Sequence, residues 1–392
     1  MFSRLSLSER MMNSSLLYLF YFYLGSFFVS FLRLFARTNS KLIVFMSFGG
    51  RKFDDSPKAI YDQMIKDKRF QGYQFLWAFN KPNEFQIPVG KTIKTDNLKY
   101  YLTILKARVW ITNSSMERGL SFKGKNTFYF NTWHGSPIKF MGTDIPKNSK
   151  SFGEKIKCRY NVMTSQGKQE AEIFSRVYNI PIENFRIIGL PRNDSLAHYS
   201  LEHRKKIRAK LGIELNSIAI LYAPTYREYH RTSNGIQLSL PIDLHKWEEK
   251  LGKTHTLLLR AHYSVTKVMN ITENSFVHNV SDYPLLEDLM IASDILISDY
   301  SSMFFDYSIM GKPMICFAFD YEEYAKKRGL YFDIREKLMS VENETELLNL
   351  LLSFDYEGSR EKAKRFREEF VTAYGNATKE SLDIIADELN LR

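Results

Sequence analysis

The sequence predicts an α/β fold of two doubly wound, Rossmann-like domains behind an N-terminal apolar helix. Three observations carry that prediction. The chain has 392 residues, more than one ordinary core needs and enough for two domains of roughly 150 to 200 residues. Short apolar runs alternate with helical patterns from Lys41 onward, and the alternation restarts after a basic helical stretch at 201–211. A β-then-α rhythm builds a parallel sheet covered by helices on both faces.

In the first round, KLIVFMSF (41–48) reads as a buried strand ending at Gly49 and Gly50. A helix at 56–68 and the strand YQFLWAF (73–79) follow, then a helix at 98–107 and the strands RVWIT (108–112) and TFYFNTW (127–133). NVMTS (161–165), a helix at 167–178 and FRIIG (185–189) close the round. The second round reads SIAILYAP (217–224), HTLLLRAH (255–262) and SFVHNV (275–280) as strands, with a helix at 284–293. DILISDY (294–300) runs into a helix at 301–310, KPMICFAF (312–319) is a strand, and the chain is helical from 344. The expected ranges are 1–38 for the membrane-associated segment, 39–200 for the first domain, and 201–392 for the second with the C-terminal helices. Ligands of such sheets bind beyond the carboxyl ends of the strands, so a cleft faced by the two domains is the expected active site.

Residues 11–32 carry no charge, and the apolar run from Leu16 to Phe35 is interrupted only by Gly25, Ser26, Ser30 and Arg33. Twenty helical residues span about 30 Å, the thickness of a bilayer core. A transmembrane helix fits this length, and an interfacial helix fits the aromatic content and flanking arginines. A helix packed inside the protein is the structural alternative. A secretory signal fits poorly, because the run is too long and no small-residue cleavage site follows. Membrane attachment is the expectation, with the rest of the chain cytoplasmic.

The net charge of +11 indicates an acidic partner, whether nucleic acid, anionic lipid or a phosphorylated substrate. The two cysteines, Cys158 and Cys316, form no CxxC, which excludes a disulfide framework and a structural zinc site. Both read as small buried hydrophobes. Walker-type loops, GxGxxG and spaced metal-ligand sets are absent, so neither a cofactor nor a metal is expected.

Candidate site residues fall at strand ends. His134 in NTWHGSP (131–137) sits before Gly135 and Pro137, where a turn presents the ring. A near-neutral histidine accepts a proton from an attacking hydroxyl; a buried turn histidine is the alternative. LYAPTYR (221–227) places Arg227 in a loop, and LLLRAH (257–262) does so for Arg260 and His262. These groups suit a pyrophosphate, though a lone arginine is more often in a surface ion pair. In SDYSSMFFDYSIMGKP (298–313), Asp299 ends a strand, Ser301 and Ser302 open a helix that would cradle phosphate, and Asp306 orders neighbouring groups. An ordinary serine cap is the alternative there. GLPRND (189–194) reads as a structural junction.

Taken in order, WHGSPIKFMG, GLPRND, LYAPTYR, LLRAH and SDYSSMFFDYSIMGKPMICFAFDYEEY resemble the motifs of the CDP-glycerol glycerophosphotransferases over about residues 40–375. The resemblance implies a glycosyltransferase-B-type fold, synthesis of teichoic-acid or capsule polymers in bacteria, and attachment to the inner membrane face. It implies a CDP-glycerol or CDP-ribitol donor, a lipid-linked glycan or polyol-phosphate acceptor, and an anionic membrane surface as partner. By motif, His134 and His262 are the expected catalytic residues, with His134 the base and His262 joining Arg227 at the donor pyrophosphate. Arg260, Asp299, Ser301 and Ser302 complete the expected donor site. The run at 16–35 is more apolar than peripheral attachment requires. A nucleotide-sugar glycosyltransferase of the same architecture is the competing enzyme reading. A nucleic-acid-binding protein is the non-enzymatic one, and no recognised motif for nucleic acid is present.

Overall fold

The computed structural model describes residues 15–145, 159–225, 227, 231–232, 235–236, 240–261 and 273–391. They divide into two compact units. Unit 1 holds the described residues of 15–134, 141–194 and 376–391, and unit 2 holds 135–140 and those of 195–375.

Unit 1 is built on seven strands: β1 (Asn39–Met46), β2 (Gln74–Phe79), β3 (Lys91–Lys94), β4 (Ala107–Thr112), β5 (Phe128–Asn131), β6 (Val162–Ser165) and β7 (Phe185–Ile187). They form one sheet in the order β3-β2-β1-β4-β5-β6-β7, and every pairing is parallel. Ile43, Val44, Phe45 and Met46 are all fully buried. A strand covered on both faces needs apolar side chains at every position, hence the unbroken run in the sequence.

Unit 2 carries β8 (Ile218–Tyr222), a short antiparallel pair β9 (Arg231–Thr232) and β10 (Gly235–Ile236), then β11 (His255–Leu259), β12 (Val277–Asn279), β13 (Ile295–Ser298), β14 (Met314–Phe317) and β15 (Met339–Val341). Its main sheet runs β12-β11-β8-β13-β14-β15, again all parallel. Ala219, Leu221, Leu258 and Leu296 pack on one face, and Ile220, Tyr222, Leu257, Leu259, Ile295 and Ile297 on the other. Counted along its own chain, each sheet follows the 3-2-1-4-5-6 order of nucleotide-binding doubly wound folds. The order reverses between β1 and β4 in unit 1, and between β8 and β13 in unit 2.

The expected α/β fold with two parallel sheets is present. Four strands lie beyond the sequence reading. In β3, only Ile93 of KTIK is buried, so no apolar run marks it. β15 is half-buried throughout, and β9 and β10 have two residues each. The helices Leu244–Leu251 and Tyr321–Arg328 were also not anticipated; the latter buries only Tyr324 among its charged residues. Residues 376–391 pack in unit 1, which differs from the expected 201–392 range. The cause is local. Leu382, Ile385 and Ala386 of the helix Ala377–Glu388 join the unit 1 core, and Asp194 accepts from the Ala377 and Thr378 amides at 2.9 and 2.8 Å.

The helix Ser15–Leu32 leaves most of its surface open, so the packed-inside alternative does not hold. Phe20, Tyr23, Phe27, Leu34 and Phe35 are each about two-thirds or more exposed. One edge is nonetheless docked along its length on residues 118–122 of the same unit. Tyr18 OH donates to Gly119 O at 3.4 Å, Tyr21 OH to Arg118 O at 3.2 Å, and Ser26 Oγ accepts from the Ser121 amide at 2.9 Å. Beyond the helix, the Arg33 guanidinium donates to Phe122 O.

The GLPRND segment ties unit 1 together. Asn193 Nδ2 donates to Gln166 Oε1 at 3.1 Å, and Arg192 pairs with Asp55 at 2.7 Å with side-chain exposures of 8% and 7%. Removing one partner of a buried ion pair strands the other charge. Arg192→Ala is therefore expected to lower the unfolding free energy by about 3–5 kcal/mol in urea denaturation.

Candidate functional site

The carboxyl ends of β1, β4 and β5 are cross-linked by polar side chains in unit 1. Asn113 follows β4 and is fully buried. Its Oδ1 accepts from the Phe48 amide, one residue past Ser47 at the end of β1, at 2.7 Å. Ser114 Oγ accepts from the Gly49 amide at 2.9 Å, and Ser114 O accepts from Asn131 Nδ2 at 2.6 Å. Asn131 Oδ1 in turn accepts from the Trp133 amide at 2.7 Å.

His134 sits inside this lattice. Its Nδ1 lies 2.6 Å from the Asn113 carbonyl oxygen, Trp133 stacks on the ring at 4.5 Å between centroids, and Phe48 packs against it at 5.4 Å. A carbonyl only accepts, so Nδ1 carries the hydrogen and neutral Nε2 is left with the lone pair. Burial pulls the imidazole below its ordinary pKa. The Asn113 carbonyl and Asp55 oppose that shift, and Arg192 and Arg51 add to it. His134 is thus held neutral, as a proton acceptor requires.

Past His134, residues 135–140 belong to unit 2. The Ile138 carbonyl accepts from the Tyr331 amide at 2.8 Å, and the Phe140 amide donates to Gly329 O at 3.0 Å. A Cβ on Gly135 would stand 2.6 Å from Ser302 Oγ, so only glycine fits there. Ser302 is half-buried, and its hydroxyl makes no hydrogen bond among the described residues. Ser301 Oγ accepts from the Met303 amide at 3.2 Å. The helix they open, Met303–Ser308, has six residues, and Asp306 is buried within it.

Arg227 and Asp299, both expected at the donor, are bonded to each other. Arg227 is 3% exposed. It reaches Asp299 at 2.9 Å and grips both oxygens of Asp320, at 2.6 and 2.8 Å. The rings of Tyr300, Phe319 and Tyr324 surround it at 4.8–5.2 Å. Burial alone would lower its pKa, but the two carboxylates hold it above the ordinary arginine value. Asp299 also accepts from the Thr225 amide at 3.0 Å. The guanidinium is a latch joining loops after β8, β13 and β14, so its charge is already balanced within the protein. Arg260 donates to the carbonyls of Val280 and Tyr283 at 3.1 and 2.9 Å, fixing the loop after β12. His262 and Cys158 lie outside the described residues; Cys316 is buried, as expected. Among the described residues, no three His, Cys, Asp or Glu side chains group to hold a metal ion.

Sequence reasoning missed Asn113, Asn131 and Asp320. The available signal was position, since each is a polar residue at, or within three residues of, the end of a buried strand.

Paired parallel sheets in nucleotide-binding order, with a neutral histidine at one strand end, define a group transferase of the glycosyltransferase-B type. The chain belongs to the CDP-glycerol:poly(glycerophosphate) glycerophosphotransferase family, whose description matches residues 27–384. It is 32% identical over 336 residues to the teichoic acid glycerol-phosphate transferase of Staphylococcus aureus, covering 81% of this chain and 85% of that protein. It is 34% identical over 314 residues to the teichoic acid poly(glycerol phosphate) polymerase of Staphylococcus epidermidis, covering 76% of this chain but 43% of that longer protein. Among solved structures, it resembles the wall teichoic acid polymerase TagF, in a histidine-to-asparagine variant soaked with CDPG. There the TM-score is 0.82 at 29% identity, with 90% of each chain covered.

Replacing Arg227 with Lys keeps the charge and loses the planar fork that spans Asp299 and Asp320. Arg227→Lys is expected to lower the unfolding free energy by about 1.5–3 kcal/mol, one hydrogen bond to a charged group. A urea midpoint equal to that of the parent would contradict the latch.

Proposed function

We propose that this chain transfers glycerol phosphate from CDP-glycerol to a terminal hydroxyl of a lipid-linked teichoic-acid-type polymer, at the cytoplasmic face of a bacterial membrane. The observation that carries the reading is the likeness along 90% of the chain to a polymerase solved after a soak with CDPG. The acceptor hydroxyl oxygen forms a bond to the phosphorus that bears the glycerol. The bond between that phosphorus and the bridging oxygen breaks, and CMP leaves with the electron pair. His134 Nε2 takes the hydroxyl proton. Ser301, Ser302 and Arg260 face the donor phosphates, while Arg227 and Asp299 serve them indirectly by fixing the loops. His262, in the LLRAH motif, is assigned to the pyrophosphate. Positioning and charge neutralisation supply most of the rate in such chemistry. Offering CDP-glycerol, CDP-ribitol and UDP-sugars with a polymer acceptor tests the function. The expected outcome is CMP release from CDP-glycerol, with the acceptor heavier by one glycerol phosphate.

The base assignment has its own test. His134→Ala is expected to leave donor affinity in calorimetry nearly intact and to slow turnover by about 100-fold to 10,000-fold. In the parent, activity falls as acid protonates the ring. Because burial lowers this pKa, that limb should lie below the ordinary histidine value of about 6.5 and vanish in the variant. Normal turnover by a folded His134→Ala protein would remove the residue from the mechanism.

Membrane attachment is supported by the exposed face of the helix Ser15–Leu32, whose docked edge fits a helix lying in the membrane interface. Replacing Phe20, Phe27 and Leu34 together with Glu changes only exposed positions. The triple variant is expected to keep its thermal stability and to stop co-sedimenting with anionic lipid vesicles.

A further inference from the structure

We propose that Asn113 is the positioning residue for His134, fixing which ring nitrogen accepts the proton and what the ring packs against. This rests on the reading of His134 as the base. Asn113 makes the connection twice. Its main-chain oxygen takes the Nδ1 hydrogen at 2.6 Å, which leaves Nε2 as the acceptor. Its side-chain oxygen takes the Phe48 amide hydrogen at 2.7 Å, and Phe48 is the ring that packs against His134 at 5.4 Å.

The local backbone shows that this arrangement is held under load. Phe48 has φ +47° and Trp133 has φ +52°, both in the left-handed region that non-glycine residues seldom occupy. Each is the residue whose amide is captured by a buried asparagine, Phe48 by Asn113 and Trp133 by Asn131. Each also places an aromatic ring against His134. The two asparagines therefore stabilise the strained turns that flank the imidazole. Among the described residues Asn113 Nδ2 is buried with no hydrogen-bond partner, so the bonds Asn113 makes to this turn and to the ring run through its two oxygens. The charged groups acting on the ring are Asp55, Arg192 and Arg51. Asp55 and Arg192 pair with each other at 2.7 Å, whereas Asn113 reaches the ring through its carbonyl and through Phe48.

Two measurements test this. In protein carrying nitrogen-labelled histidine, long-range proton–nitrogen spectra report the tautomer of the neutral His134 ring, with His134→Gln assigning the signal. The parent is expected to show hydrogen on Nδ1; hydrogen on Nε2 overturns the proposal without any Asn113 variant. Asn113→Ala keeps the main-chain carbonyl that holds Nδ1 and removes the grip on the Phe48 amide, so it is expected to preserve the tautomer and to reduce turnover by about tenfold to 100-fold, the usual effect of losing an outer partner that helps orient a functional histidine. Its acid limb should move to higher pH as the ring loses its packing and gains water. Should Asn113→Ala fail to fold, Phe48→Leu keeps the captured amide and removes only the ring, and the same direction of shift is expected. A profile unchanged from the parent in either folded variant overturns the proposal. Normal turnover by His134→Ala would instead overturn the base reading on which it rests.

Discussion

A parallel strand buried on both faces has one place to put polar chemistry, its end. Everything functional in this protein follows from that constraint. The cores of the two sheets are built from apolar residues, and the chain turns polar where it leaves β1, β4, β5 and β13, at Ser47, Asn113, Asn131 and Asp299. Main-chain groups there have lost their sheet partners and remain buried, which makes partners obligatory. Asn113, Ser114 and Asn131 supply them in unit 1, and Asp299 does so for the Thr225 amide in unit 2. In each unit the side chains that close the strand ends thus lie beside that unit's candidate site residues, Asn113 beside His134 and Asp299 beside Arg227.

The two units solve the same problem with different chemistry. Unit 1 uses neutral amides and a hydroxyl, which leave the local field weak enough for burial to dominate the His134 imidazole. Unit 2 uses a buried guanidinium between two carboxylates. A charged latch is stronger and more directional than an amide bridge, and it holds the loops after β8, β13 and β14 together. The arginine singled out in the sequence for its charge is thus already paired with two carboxylates.

Much of this architecture was legible in the sequence because burial on two faces writes long apolar runs. β1, β2, β4, β8, β11 and β13 were each visible as such a run. Elements with one buried residue, such as β3 and the helix Tyr321–Arg328, were silent. The placement of 376–391 with unit 1 was also hidden, since a helix does not announce which core its apolar edge will join. At the site, His134 stood out through the turn residues after it. Asn113 did not, because its role depends on the fold bringing β1 and β5 to either side of β4. Residue type pointed to Arg227, and only the structure shows its partners.

The proposed transfer breaks the bond between the bridging oxygen of the donor and the phosphorus that bears the glycerol. Donor carrying a heavy-oxygen label at the bridging position, turned over with acceptor, tests it directly by mass spectrometry of the released nucleotide. The account predicts CMP with the label in its phosphate and none in the polymer. Release of a nucleoside diphosphate with the label still bridging would show that the bond to the glycerol carbon breaks instead, and would contradict the account.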